Sequence, residues 1–462
     1  MLRRIATIFG YLALACLIVL LTVGLVAYGQ DYSYSISQHR IIRSGNVIIQ
    51  TVPSGVAVSI DGHPNKKRTS YRLATGKSYL FAVSKTGFHT WQKALTTLAG
   101  KITLVQYIVL VPNELIPQAL ATAPTVISQA ASHDRRHVAY ITGGSTPGVF
   151  VDNYDNQPVK IYSPVAATAA TGAETLQSVT WSDDASHVLI MSSFNGATVA
   201  RVMAADGSGA ENLTDKYHYD FSTLKFSAGN WRQLYWIAPD GLRRLDLDTQ
   251  TVSAVLASGV KQIEILDSSV MYVQETTLGQ SLWLLDGKNG KPQQLIAALP
   301  ASDHYGLAYT NYRGTDALAV VPSATQAGTL YTNIFGDTPQ AQTVAHGVTD
   351  VSFSPDGHLV AFSGLANITT YDLEASSIFD TSTLYTFAVN NLSTPPAWFD
   401  NFHLLSNQNG RLIWTDFDGA NGVDLGLTQA TLSAGSSSDV KNVYVWQPTA
   451  SAVQLTTLTI KP

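Results

Sequence analysis

Cysteine is missing from everything beyond Cys16. The bulk of the chain therefore holds no disulfide framework and cannot be a small cystine-stapled scaffold. Charge is scarce as well: Asp, Glu, Lys and Arg make up 13% of the 462 residues, against about 25% in an average soluble protein. Three catalytic signatures are absent. There is no Gly-x-Ser-x-Gly nucleophile elbow, no His-Glu-x-x-His helix and no Gly-rich phosphate loop opening a helix. What is present is a composition rich in Thr, Ser, Val, Tyr and Gly, which favours β structure.

One apolar run stands apart. Residues 5–29 carry no charge and follow directly on Arg3 and Arg4. As a helix rising ~1.5 Å per residue the run reaches about 37 Å, enough to cross a hydrocarbon core of about 30 Å with some tilt. The next basic residues are Arg40 and Arg43. The positive-inside rule then places residues 1–4 in the cytoplasm and 30–462 outside, as a single-pass plasma membrane protein. Ala27-Tyr28-Gly29 before Gln30 would also suit a signal peptidase. The run exceeds the roughly 7–15 residues of a signal core, so an uncleaved signal-anchor over 5–29 is the expectation.

Charge divides the remainder. Residues 45–112 hold eight Lys and Arg against Asp61 alone, a balance of +7. Residues 1–44 carry +3 and residues 113–462 carry −15, which together give the chain's total of −5. This sign change marks a boundary between a basic module behind the linker 30–44 and an acidic distal one. Within 45–112, alternating segments at 46–50, 56–60, 79–83 and 102–107 read as strands, separated by Pro53-Ser54-Gly55, Asp61-Gly62, Gly76 and Thr86-Gly87. A small antiparallel β-sandwich is expected.

The same residues, in the same order, resemble the PEGA family. Pro53-Ser54-Gly55-Val56 stands in for the namesake tetrapeptide, Val58-Ser59-Ile60-Asp61-Gly62 for the strand and turn after it, and Gly76-Lys77-Ser78-Tyr79 and Lys85-Thr86-Gly87-Phe88 for two later elements. The departures are Ser54, Val56 and Ser70. The resemblance implies a non-catalytic cell-surface module that contacts envelope polymers. Lys66-Lys67-Arg68 could then meet an anionic lipid or wall surface; a solvated hairpin loop is the plainer reading.

Internal repetition decides the region 125–462. Ser132–Tyr140, Ser182–Ile190 and Ser354–Phe362 run in parallel as strand, polar turn and strand. Weaker equivalents near Ser227, Asp267, Thr310, Asp400 and Ser437 give a period of roughly 40–50 residues, the length of a four-stranded propeller blade. Eight periods can be counted, and seven or eight blades are expected. These units resemble the propeller repeats of TolB, with Phe353-Ser354-Pro355-Asp356-Gly357 the strongest match. Residues 113–124 are expected to serve as linker or as a strand that closes the ring against 442–446 and 453–460.

Candidate chemistry is sparse. His137, His187 and His358 recur at one turn of different blades, so they point out around a ring and are turn residues rather than metal ligands. Trp181, Phe226, Phe353 and Trp398 recur just before that turn and are expected to pack blade against blade. Propeller function usually sits where the loops entering the innermost strands meet. Two such loops stand out, Tyr217-His218-Tyr219-Asp220 and Asp303-His304-Tyr305, and a third supplies His346. Aromatic faces with His and Asp edges suit a sugar or a peptide. Ordinary polar loops, a metal site or an acid and base are the competing readings. Asn212, Asn367 and Asn391 fit the glycosylation sequon.

The sequence thus leads to an all-β exterior, a small sandwich plus a 7–8-bladed propeller, behind one transmembrane helix. The expected role is non-catalytic binding or scaffolding in the cell envelope, with the membrane and an envelope polymer or protein as partners and no cofactor or metal. The acidic distal module argues against nucleic acid. The alternatives are a propeller hydrolase or lyase on envelope glycans or peptides, and an envelope sensor or assembly subunit.

Overall fold

The computed structural model describes residues 2–29, 32–35, 40–65, 69–99, 101–155, 157–166, 172–266, 269–287, 290–336, 338–374 and 383–461. The basic run Lys66-Lys67-Arg68 and the repeat start at Asp267 lie outside them. A single long helix, Leu2–Gly29, carries the apolar run. It is long and apolar enough to cross a bilayer, a test that a signal sequence also passes.

The chain divides into two compact units, one built on Met1–Glu114 and one on most of Leu115–Ile460. In the first, Arg40–Val52 pairs antiparallel with Ser70–Ala74 and parallel with Ile102–Val109. A second sheet runs His63–Asn65, Ala57–Ile60, Ser78–Ser84, Trp91–Thr96. Val47, Ile49, Val58, Phe81, Trp91 and Ile108 fill the space between them. The parallel pair corrects the all-antiparallel expectation: the chain builds the second sheet before returning, and such a long crossover can enter in either direction. Asp61 and Gly62, with φ of 48° and 78°, make the hairpin turn between Ala57–Ile60 and His63–Asn65. The Asp61 carboxylate accepts the Leu80 N–H at 2.9 Å, and that bond holds it below the usual carboxylate range.

The second unit is a β-propeller of eight four-stranded blades among the described residues. Seven blades are consecutive meanders, from Val126–Ala131 through Val423–Leu427. The eighth takes Gly435–Ser436, Asn442–Pro448 and Val453–Thr459 from the C-terminal part, and its outer strand is Gln118–Ala123, paired antiparallel with Val453–Thr459. First strands of successive blades lie side by side around the inside of the ring. Second strands are buried on both faces, as in Val138–Thr142 and Leu359–Ser363, because neighbouring blades cover both sides. This explains why they read as short unbroken apolar runs rather than as alternating ones.

Side chains stitch the blades together. At the closing seam Trp446 Nε1 donates to Gln129 Oε1 at 2.7 Å, and its ring meets Tyr140 edge-on at 5.0 Å. Arg135 of the first blade donates to Ser436 Oγ at 2.7 Å and to the Phe399 carbonyl at 3.2 Å. Between the first two blades Glu174 is buried and accepts from Tyr162 Oη at 2.7 Å and from Val165 N at 3.0 Å, while pairing with Arg201. The expected inter-blade packing is seen in Trp181 and Trp398, whose indoles donate to Ala130 and Ser352 carbonyls of the preceding blades at 2.8 and 3.4 Å.

Four blades share one design of first turn, the turn between the first and second strands. Ser132, Ser182, Ser354 and Ser437 donate to Asp134, Asp184, Asp356 and Asp439 at 2.6, 2.6, 2.9 and 2.6 Å. The same hydroxyls accept the N–H groups of His137, His187, Leu359 and Asn442. The fourth residue of each turn, Arg135, Ala185, Gly357 or Val440, is left-handed, with φ of 58°, 56°, 81° and 54°. A β-branched residue is the least suited to that region. Val440→Gly is therefore expected to stabilise the fold by about 0.5–1 kcal/mol, after the added freedom of Gly in the unfolded chain is subtracted. Gly357→Ala is expected to destabilise it, since a Cβ there would lie 1.9 Å from Thr310 Oγ1. Thermal melts of both variants check this; a Val440→Gly protein melting below the parent would refute strain at that turn.

Candidate functional site

The residues singled out on the entering loops do not converge on one ligand site. Tyr305 is 2% exposed, and its hydroxyl donates to the Pro300 carbonyl at 2.5 Å and is also bonded to Gln280. It belongs to the core, a correction that follows from its place as the first residue of the inner strand Tyr305–Tyr312. Tyr217 and Tyr219 are half-buried against the cluster around Phe221 and Trp236, with Tyr219 edge-on to Trp236 at 5.5 Å. They too serve packing. His218 caps the short helix Leu213–Tyr217 in left-handed conformation, and Asp220 accepts the Ser222 N–H at 3.0 Å within its own turn. Asp303, His304 and His346 are exposed. The His346 carbonyl accepts from Asn367 Nδ2 at 3.3 Å.

The recurring histidines are each occupied locally, as expected of turn residues. His137 Nδ1 lies 2.7 Å from Asn153 Oδ1, His187 stacks on Trp231 at 3.4 Å, and His358 Nδ1 lies 2.7 Å from Asp356 Oδ1. Among the described residues no three His, Cys, Asp or Glu side chains gather as metal ligands.

One acid and one imidazole of the entering-loop mouth do interact. Burial raises the Asp350 carboxyl above the usual range, opposed by the Val351 N–H and the nearby His304. Asp350 opens the inner strand Asp350–Phe353. His304 borders a cavity of about 320 Å³ that also involves Ser178, Thr223, Lys225, Lys261 and Glu264. Lys225 and Glu264 form an ion pair of 2.7 Å across adjacent blades. The cavity shares Thr180 with a larger one of about 850 Å³ and Glu264 with a third of about 560 Å³. The three together trace the inside of the ring toward its opposite mouth, where the first turns lie.

That opposite mouth holds the recess of about 850 Å³, and sequence reasoning missed it. Small residues, Ala130 and Ala131 of the first blade and Ala228 and Gly229 of the third, line it beside Trp181 and Phe226, the latter 8% exposed. Ile265 and Leu266 continue the apolar floor. His133 and Asp183 stand on the rim, 3.8 Å apart and largely exposed. At about 850 Å³ the recess is of ligand-site size, and its lining sets apolar side chains beside His133, Thr180, Ser182, Asp183 and Ser227. Trp181 and Phe226 were legible only as inter-blade packing. The signal that could have found the recess is the pairing of those rings with small residues at the equivalent positions of neighbouring blades.

Comparison with solved structures agrees with the propeller fold. The chain is similar to the Dos1 propeller. That likeness has a TM-score of 0.50 at 13% identity and covers 74% of this chain and 95% of that one. KlAtg21, solved in complex with a coiled coil of AgAtg16, gives a TM-score of 0.44 at 10% identity over 74% of this chain and all of that one. At such identities the likeness shows the fold alone. No family model and no curated protein matches the chain.

The half-buried Asp350 carboxyl yields a prediction. A carboxyl whose folded pKa is raised opposes folding while ionised, and the opposition fades as pH falls through that raised value. Asp350→Asn is expected to raise the melting temperature at pH 7, with the gap to the parent closing toward pH 4. A variant that melts at or below the parent at pH 7 contradicts the assignment.

Proposed function

We propose that the chain is a non-catalytic binding or scaffold protein of the cell envelope, held by its N-terminal helix and presenting the sandwich and propeller outside the cytoplasm. The observation that carries this reading is the recess of about 850 Å³, an apolar floor with a polar rim set in a closed ring. A closed ring keeps such a surface rigid, so little ordering entropy opposes binding. The PEGA-like order of Pro53 to Phe88, the TolB-like turn Phe353–Gly357 and the +7 balance of residues 45–112 support an envelope setting. The orientation follows from Arg3 and Arg4 before the helix. The non-catalytic reading is supported by the engagement of Tyr217, Tyr219, Asp220 and Tyr305 in packing and turns.

The test is a pull-down with the full chain in non-ionic detergent against fractionated envelope of the producing cell, with Ala131→Trp alongside. Ala131 is exposed and borders the recess, so the indole fills it without disturbing the core. The parent is expected to retain an envelope polymer or protein that the variant loses. Equal retention by both chains would remove the recess from the function. Protease added outside intact cells is expected to digest the propeller; full protection would reverse the orientation.

A further inference from the structure

The recess differs from the rest of the inner ring in what surrounds it. Its floor is apolar, formed by Trp181, Phe226, Ile265 and Leu266. Its rim carries Asp183, whose side chain is 44% exposed and lies 3.8 Å from the imidazole of His133. Beyond the rim stand the turn carboxylates of the same mouth, among them Asp134, Asp184, Asp206 and Asp356. Each is held below the usual carboxylate range. For Asp134, Asp184 and Asp356 burial pushes upward, but hydrogen bonds from serine, histidine or backbone N–H groups outweigh it; for Asp206 the Ser208 hydroxyl leads. All stay ionised at neutral pH. Of the guanidinium groups at this mouth, Arg135 is turned toward Ser436 and Phe399, and Arg232 pairs with Asp248 at 3.0 Å; neither lines the recess. The surrounding potential is therefore negative, in a distal unit whose sequence balance is −15, and low-dielectric walls focus it.

We infer that this recess receives a short cationic segment of a partner protein, in which Lys or Arg flanks an apolar side chain. The apolar residue seats against Trp181, Ile265 and Leu266, with the edge of Phe226 beneath it, as a buried anchor. The cation meets Asp183 at the rim and displaces His133, whose long contact is weak. An anionic segment would find no Lys or Arg among the residues that line the recess and would face the turn carboxylates, which disfavours it by like-charge repulsion. The inference rests on the binding reading above and names the partner's chemistry.

The experiment uses the full chain in non-ionic detergent and two fluorescent peptides, Gly-Lys-Trp-Lys-Leu-Lys-Gly and its counterpart with Glu for each Lys, by anisotropy. The lysine peptide is expected to bind at least tenfold more tightly than the glutamate peptide. Raising salt from about 50 to about 300 mM should weaken it several-fold, because the pairing is at the surface. Asp183→Asn is expected to cost about three- to tenfold in affinity, and Ala131→Trp to abolish binding, with Ala228→Trp as a second blocking variant should the first melt early. Equal binding of both peptides, or unchanged affinity in the blocked variants, would overturn the assignment. So would salt-sensitive self-association of the parent that Ala131→Trp abolishes, which would make a second copy the occupant. A parent that binds the peptide yet retains nothing from the envelope fails the functional reading and leaves this one standing. A parent that retains an envelope component without taking the peptide overturns the cationic preference alone.

Discussion

Closing the ring is the constraint on which the rest of the propeller depends. A meander of four-stranded sheets has two ends, and each end would expose a sheet edge and a blade face. Here the strand Gln118–Ala123 joins three strands from the C-terminal part, so that a hydrogen-bonded ladder spans the seam. Trp446, Gln129 and Tyr140 then pack across it, and Arg135 ties the first blade to the eighth and seventh. With both faces of every second strand covered, those strands can be wholly apolar.

From that closure follows the division of labour between the two mouths. At the entering-loop mouth, aromatic residues that look available in the sequence turn inward: Tyr219 packs on Trp236, and Tyr305 starts an inner strand. At the first-turn mouth, serine and aspartate close the turns within themselves. The turns are thereby compact, and the residues just before them, some large and some small, decide where space remains. The recess is a consequence of that uneven filling between blades one, two, three and four.

The carboxylates of those turns serve two ends. Each is first a structural acceptor that satisfies hydroxyl and backbone donors in a tight turn, and that use keeps it ionised. Gathered by the ring on one side, the same charges give the mouth its sign. Asp350 shows the opposite case, an inner-strand carboxyl with one backbone donor, raised by burial. The difference between them lies in how deeply each is buried and which donors it finds, not in the residue type.

How much was legible can be argued from particular residues. The apolar run, the change of charge sign, the Asp61-Gly62 hairpin and the 40–50-residue repeat with its Ser-x-Asp turn are local signals, and the structure uses each of them locally. Eight periods and a closing strand within residues 113–124 could also be read, because a repeat that cannot bury its own faces must close. What only the tertiary structure decided is which faces meet. The direction of Ile102–Val109 depends on a long crossover, the burial of Tyr305 on the strand beside it, and the recess on which side chains stand opposite Ala131 and Gly229. Local periodicity fixes what a segment becomes. The space left between segments depends on pairs of residues distant in sequence, which no local pattern encodes.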